Sequence, residues 1–245
     1  MKIAAILTVY NDEAFLPQFL DYYSAQVDTI FAIDNESDDR SIEILKRYPK
    51  VELSVYQTGG RFNHERKNEV LNEKAKSCVG SFDYTLVLDV DEFIVPKKLG
   101  PIRTALEANP SRPAFGTSGY NMFTYPWDEP YDPKKPLIEQ RCWGVPNDHY
   151  SKPVISRPDA DLKFALGRHF IEGVPKPQID SREEALFFLL HYRGFDEELY
   201  LKRCIMKRDR NELSFARSYY AHGSEQDFMK RLEYEKGAHP PVKVL

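Results

Sequence analysis

The chain predicts an α/β fold: a mainly parallel central sheet flanked by helices, followed by a loop-rich C-terminal part. Three observations carry this expectation. Short apolar runs alternate with amphipathic segments through the first half of the chain. The apolar runs are continuous, as suits strands covered on both faces. Prolines 101, 110, 113, 126, 130, 133 and 136 then crowd the middle of the sequence, where regular structure is expected to give way to loops.

The elements follow in order. Ile3–Val9 is a first apolar strand. Residues 12–25 predict a helix with Phe15, Phe19, Leu20 and Tyr23 on its inner side. Residues 28–33 form a second strand. Ser37 is placed to cap a helix through Ile42, Ile44 and Leu45 to about Tyr48. Residues 51–56 predict a third strand, residues 63–78 a third helix, and Tyr84–Leu88 a fourth strand that ends in an acidic run. Such a β-α series implies parallel strands joined by right-handed crossovers. Beyond it, residues 122–136 (MFTYPWDEPYDPKKP) predict a long surface loop anchored by Tyr125, Trp127 and Tyr131. Strands are expected at 154–157 and 162–171, a strand or short helix at 185–191, and helices at 196–208 and 224–236. No repeat and no interdomain linker is visible, so residues 1–245 are read as a single domain.

Composition narrows the function. A formal charge of −4 gives no reason to expect a nucleic-acid partner, because phosphate backbones want a basic face. Cys78, Cys142 and Cys204 cannot all pair with one another and form no CxxC, so they are read as reduced thiols of a cytoplasmic protein. The start resembles a signal peptide for seven residues only before Tyr10-Asn11-Asp12-Glu13 interrupts it. No apolar stretch approaches the roughly 18 residues of a membrane span. A peripheral contact with the inner face of the membrane stays open.

Four clusters carry chemistry. In Leu88-Asp89-Val90-Asp91-Glu92, a buried strand delivers three acids at its carboxyl end, where open α/β sheets bind ligands. If that run stays extended, Asp89 and Asp91 point the same way and can share a divalent cation that also meets phosphate oxygens. Asp34, at the end of the second strand, is placed to accept hydrogen bonds from a base or ribose. The neighbouring Ser37 and Asp38 equally suit helix capping. After the first strand, Tyr10 can stack on a base, while Asn11 or Glu13 holds a sugar or caps the helix. Arg66 and Asn68, at the start of the third helix, can meet a diphosphate and its sugar.

Together these segments resemble a known family. TVYNDEAFL, DNESDD, ERKNEVLNEKA and LDVDEF occur in that order, similar to the nucleotide-sugar half of a GT-A glycosyltransferase of the family 2 type. Further on, FGTSG (115–119), SKPVI (151–155), GRH (167–169) and HYRGFDEEL (191–199) with Lys202 resemble a family 2-like branch related to family 92. That branch carries an HY motif before an acidic helix. The likeness runs to about residue 210. It implies a Rossmann-like GT-A fold with a nucleotide-sugar half (1–95) and an acceptor half (96–245). It also implies a UDP-sugar or similar donor and a saccharide, glycan or lipid-linked acceptor. By position, Asp34 would take the base or ribose, Asp89 the ribose or donor sugar, and Asp91 the metal, Mn²⁺ or Mg²⁺. His191 would complete the metal or diphosphate site, with Lys152 and Arg193 adding positive charge.

The sequence departs from the family 2 pattern in lacking its catalytic carboxylate and QxxRW-type motif. Asp148 and Glu172 are the candidate bases, with Glu139 a third. Two other functions fit less of the sequence. A sugar nucleotidyltransferase would want a Gly-rich basic loop where Tyr10-Asn11-Asp12-Glu13 stands. A non-catalytic nucleotide-sugar-binding module would account for the missing base.

Overall fold

A computed structural model describes residues 1–98, 100–160, 162–165, 172, 183–210 and 223–245. Strands β1 (Ile3–Val9), β2 (Thr29–Asp34), β3 (Val51–Val55) and β4 (Tyr84–Leu88) form the expected parallel block. All of β1 and β4 is buried, which explains why neither alternates polar with apolar.

The helices between them are α1 (Leu16–Gln26), α2 (Ser41–Leu45) and α3 (His64–Ser77). The first begins four residues later than expected. Pro17 lacks an N–H and must lie in a first turn, while the Asp12 carbonyl accepts the Phe15 and Leu16 N–H groups in a preceding turn. The second is also shorter, and Ser37 does not cap it: its hydroxyl accepts the Asn11 N–H across the strand ends. The third matches, with Asn63 capping through the Arg66 N–H at 2.8 Å.

Two short strands, β6 (Ala114–Phe115) and β9 (Ile155–Ser156), extend the sheet antiparallel, giving the order β3-β2-β1-β4-β9-β6. The strand expected at 162–171 lies partly outside the described residues, and its first residues form no strand element.

A second, mixed sheet was not expected. It contains β5 (Glu92–Pro96), β7 (Thr117–Phe123), β8 (Trp143–Pro146), β10 (Phe187–Gly194) and β11 (Val242–Lys243), ordered β11-β8-β7-β10-β5. Helices α4 (Ile102–Glu107), α5 (Leu137–Gln140), α6 (Glu197–Asp209) and α7 (Glu225–Gly237) complete the described elements. Leu7 and Leu88 of the first sheet share one apolar cluster with Phe93, Leu189 and Tyr192 of the second.

The register of the second sheet builds the site. Strand β10 pairs antiparallel with β5 and parallel with β7, setting His191 beside both Glu92 and Asn121. Gly119 of β7 allows the 148–150 turn to come close: a Cβ there would meet the Tyr150 carbonyl carbon at 2.3 Å. The turn's Tyr150 ring stacks on His191, 3.9 Å between centroids.

Candidate active site

A cleft opens at the carboxyl ends of β1, β2 and β4. One of its walls is the turn between β4 and β5, which presents Asp89 and Asp91. These residues are not an extended run. The Glu92 N–H bonds back to the Asp89 carbonyl at 3.0 Å, so 89–91 form a turn and the two carboxylates diverge. Asp89 faces α3, its Oδ1 2.8 Å from Lys67 Nζ. Asp91 is buried and faces α6, its Oδ2 2.6 Å from the Arg203 guanidinium. Glu92, fully buried, fixes the turn: one oxygen accepts the Asp89 N–H and the other pairs with Lys152.

The facing wall is one side of α6. Arg203, Met206, Lys207 and Arg210 all line the cleft, and their spacing of three, four and seven residues brings them to one helical face. Arg203 bridges two acids, since its other terminal nitrogen lies 3.3 Å from Asp12 Oδ1. Burial alone would raise Asp91, but Arg203, helped by His191, outweighs it and holds the carboxyl well below the usual range. For Asp12 burial wins over Arg203, and its pKa is raised. Arg203 itself is pulled up against burial by the two acids.

His191 Nδ1 lies 3.0 Å from Asn121 Oδ1, and Nε2 faces Asp91 Oδ2 at 3.6 Å. That O···N separation fits two ligands of one divalent ion at about 2.1 Å each. Among the described residues no third His, Cys, Asp or Glu joins them in a group that could hold a metal. An ion held by this pair would complete its shell with phosphate oxygens and water.

The remaining expected residues divide in two. Tyr10, Asn68, Lys152 and Arg193 line the cleft with Asp89, Asp91 and His191. Tyr10 carries the Arg210 guanidinium 3.3 Å above its ring, and Asn68 donates to the Phe164 carbonyl at 2.9 Å. Arg193 is held by Glu235 at 2.8 Å, so its charge is already met. The others are occupied elsewhere. Asn11 adopts a left-handed φ of 48° and latches onto Asp38 and its backbone. Glu13 accepts the Arg40 N–H, and Arg66 pairs with Glu69 and Glu73 along its own helix. Asp34 is fully buried, with one oxygen accepting the Ser37 N–H and the other without a partner. Asn35, the next residue, is the one that reaches the cleft, and its amide oxygen accepts from Arg210.

Neither candidate base lines the cleft. Asp148 is exposed in its turn, and Glu172 is an exposed residue paired with Lys163 at 3.0 Å. Glu139 lies in α5, also off the cleft. The acids lining the cleft are Asp12, Asp89 and Asp91. His169, with Gly167 and Arg168, falls outside the described residues. The sequence reading missed Arg203, Lys207, Arg210 and Asp12. The basic residues were visible as a stripe on a recognised helix, but a charged stripe ordinarily marks a solvated face.

No described helix is long and apolar enough to cross a membrane. The three cysteines are free thiols.

Residues 4–161 match the family model described as Glycosyl transferase family 2. No curated protein matches the chain significantly. Among solved structures, glucosyl-3-phosphoglycerate synthase from Mycobacterium tuberculosis in complex with Mn²⁺, UDP and phosphoglyceric acid is 16% identical, with a TM-score of 0.33, over 49% of this chain and 43% of that one. Its UDP complex is also 16% identical, with a TM-score of 0.36, over 64% of this chain and 57% of that one. A 4-diphosphocytidyl-2C-methyl-D-erythritol synthase is 13% identical, with a TM-score of 0.34, over 64% of this chain and 75% of that one. The chain therefore spans less than half the length of the first of these proteins.

Proposed function

The chain belongs to glycosyl transferase family 2, and from that premise we propose that it moves a sugar from a nucleoside-diphosphate donor, UDP-linked in the first instance, to a saccharide acceptor. The observation that carries the proposal is the division of the cleft. Acids stand at the end of β4, cations stand along α6, and both face one space at the carboxyl edge of a parallel sheet.

The chemistry of the leaving group explains that division. Departure of the nucleoside diphosphate builds negative charge on phosphate oxygens, and pre-placed positive charge lowers the barrier most when the protein has already oriented it. Arg203 and Lys207 supply cations already inside the cleft, and Lys67 extends them across to α3. Asp91 and His191 would hold a Mn²⁺ or Mg²⁺ ion, which when bound supplies Lewis-acid charge to the diphosphate. Asn121, 3.0 Å from His191 Nδ1, would orient the ring with Nε2 towards the ion. Tyr10, Tyr56 and Asn35 stand at the end of the cleft nearest β1 and β2 and would receive the base.

The acceptor hydroxyl must lose a proton. Among the described residues the cleft acids Asp12, Asp89 and Asp91 each face a cation, so the proton would pass to the departing diphosphate, whose oxygen gains the electron pair of the broken bond. The acceptor, as a saccharide, would approach from the second sheet and the 122–136 segment.

The test is a thermal-shift and hydrolysis panel on the full chain. Nucleoside diphosphates are screened with and without Mn²⁺, followed by UDP-sugars. Ligand binding to the folded form raises its melting temperature by mass action. UDP with Mn²⁺ should stabilise more than either alone, and a UDP-sugar should be slowly hydrolysed. Stabilisation by nucleoside triphosphates with release of pyrophosphate would point to nucleotidyl transfer and reject the proposal.

A further inference from the structure

We propose that Arg203 is a resident counter-cation that competes with the divalent ion for Asp91 and withdraws onto Asp12 when the ion binds. This rests on the metal reading above and adds to it how the site controls its own metal affinity.

The geometry gives Arg203 two unequal carboxylate partners. Its bond to Asp91 Oδ2 is close, at 2.6 Å, while its approach to Asp12 Oδ1 is looser, at 3.3 Å. Asp12 Oδ1 is buried without a hydrogen-bonding donor, and Arg203 Nε is buried without an acceptor. A purely structural buried arginine would be expected to satisfy its donors more fully. Asp91 Oδ2 is also the oxygen that faces His191 Nε2 at 3.6 Å. The guanidinium therefore holds the very atom that the Asp91–His191 pair would offer to an ion.

Charge explains why the exchange would be tolerable. Leaving a charge buried and unpaired is the costly outcome when a buried ion pair is broken. Here neither side would be stranded. The incoming ion takes over Asp91, and Arg203 keeps Asp12, which needs a donor. Arg203 also packs its guanidinium 4.4 Å from the Phe15 ring centroid, a contact that does not depend on Asp91. Once released from Asp91, its terminal nitrogen would be available to a diphosphate oxygen in the same cleft, so metal and donor would reinforce each other.

The experiment is a Mn²⁺ titration of the full chain, reading free aquo-Mn²⁺ by electron paramagnetic resonance. It compares wild type with Arg203→Met, Lys207→Met and Asp12→Asn, each checked for folding by circular dichroism. Removing the competitor should tighten Mn²⁺ binding about tenfold in Arg203→Met, the scale of a close charge pair in a partly shielded site. Lys207→Met is the control for charge alone, since Lys207 lies on the same helix face and bears on Asp91 more weakly. It should tighten binding less than about threefold. Asp12→Asn removes the resting place for Arg203 and should weaken binding about tenfold.

Equal changes in Arg203→Met and Lys207→Met would overturn the proposal, and so would unchanged affinity in either Arg203→Met or Asp12→Asn. If Arg203→Met does not fold, the Asp12→Asn result decides alone. Failure of the metal reading looks different: neither wild type nor Arg203→Met would then bind Mn²⁺ at all.

Discussion

The two walls of the cleft are built in opposite ways. The acidic wall is a three-residue turn between two fully buried strands, tied down by Glu92, Lys152 and the backbone of β10. The basic wall is a helix whose other face packs Tyr200 and Cys204 into an apolar cluster, and whose charged tips reach into the site: Arg203 on Asp91 and Asp12, Arg210 on Asn35 and the Gly60 carbonyl. The first wall is positioned by the core and needs no ligand to hold it. In the second the core holds the helix but the charged tips are placed by the acids they face, so whatever binds between the walls competes with those contacts. The mutations that follow test whether that asymmetry is real.

The largest effect is expected at Asp91, where the walls meet. Asp91→Asn should reduce sugar transfer by about 10²- to 10³-fold, the scale of losing one pre-placed electrostatic element. Comparable activity in the variant would mean that the acidic wall is not the metal side. The same substitution has a signature in pH. The Asp91 carboxyl lies well below its ordinary value in the folded protein, so it contributes stability above about pH 3.8 and loses it as pH falls further. Urea titrations between pH 2 and 5 should show this acid limb in wild type and a shallower one in Asp91→Asn.

The walls also differ in how far the sequence disclosed them. The acidic wall was readable because its cause is local: an apolar strand followed at once by acids. Even there, the run was expected to stay extended, and the Glu92-to-Asp89 bond that folds it into a turn leaves no trace in composition. The β-α alternation, the third helix and the full span of β4 were legible for the same reason. The second sheet was not. Its strands carry polar residues among the apolar ones and pair far apart in sequence, as when Asn121 of β7 meets His191 of β10. The basic wall shows the clearest loss. The helix was foreseen and its charges were in plain view, but only the fold brings Arg203 against Asp91, 112 positions earlier.

Arg210 tests the far end of the basic wall. It covers the Tyr10 ring at 3.3 Å, and its pKa is lowered by burial. Arg210→Ala should weaken UDP binding about tenfold, in the range of one desolvated cation–π contact with its hydrogen bonds. Calorimetric titration would check it. If UDP affinity were unchanged while UDP-sugar turnover fell, Arg210 would act on the sugar rather than on the base side.

His64 gives a smaller, diagnostic effect. It lines the cleft at the start of α3, and burial, with Lys67 and Lys207 adding repulsion, pushes its pKa down to about 4. A histidine lowered on folding stays neutral in the folded state while the unfolded chain protonates. Stability is therefore lost as pH falls from about 6.5 towards 4 and is unaffected above that window. His64→Gln should remove this slope. A slope that persists would place the relevant titration elsewhere and weaken the view of α6 as a shielded basic wall.

The smallest effect is expected outside both walls. Trp127 is 55% exposed, stacks on Tyr125 with rings 2° from parallel and 4.9 Å apart, and meets the edge of Trp143 at 5.5 Å. An exposed indole backed this way stays flat at little entropic cost, the arrangement that suits contact with an apolar sugar face. Because it does not line the cleft, Trp127→Ala should leave UDP affinity and donor hydrolysis unchanged. It should raise KM for an oligosaccharide acceptor by a few-fold, about what an aromatic contact of 0.5–1.5 kcal/mol provides. A matching fall in donor hydrolysis would tie this platform to the walls. An unchanged KM across short and long acceptors would leave Trp127 with packing against Tyr125 and Trp143 as its role.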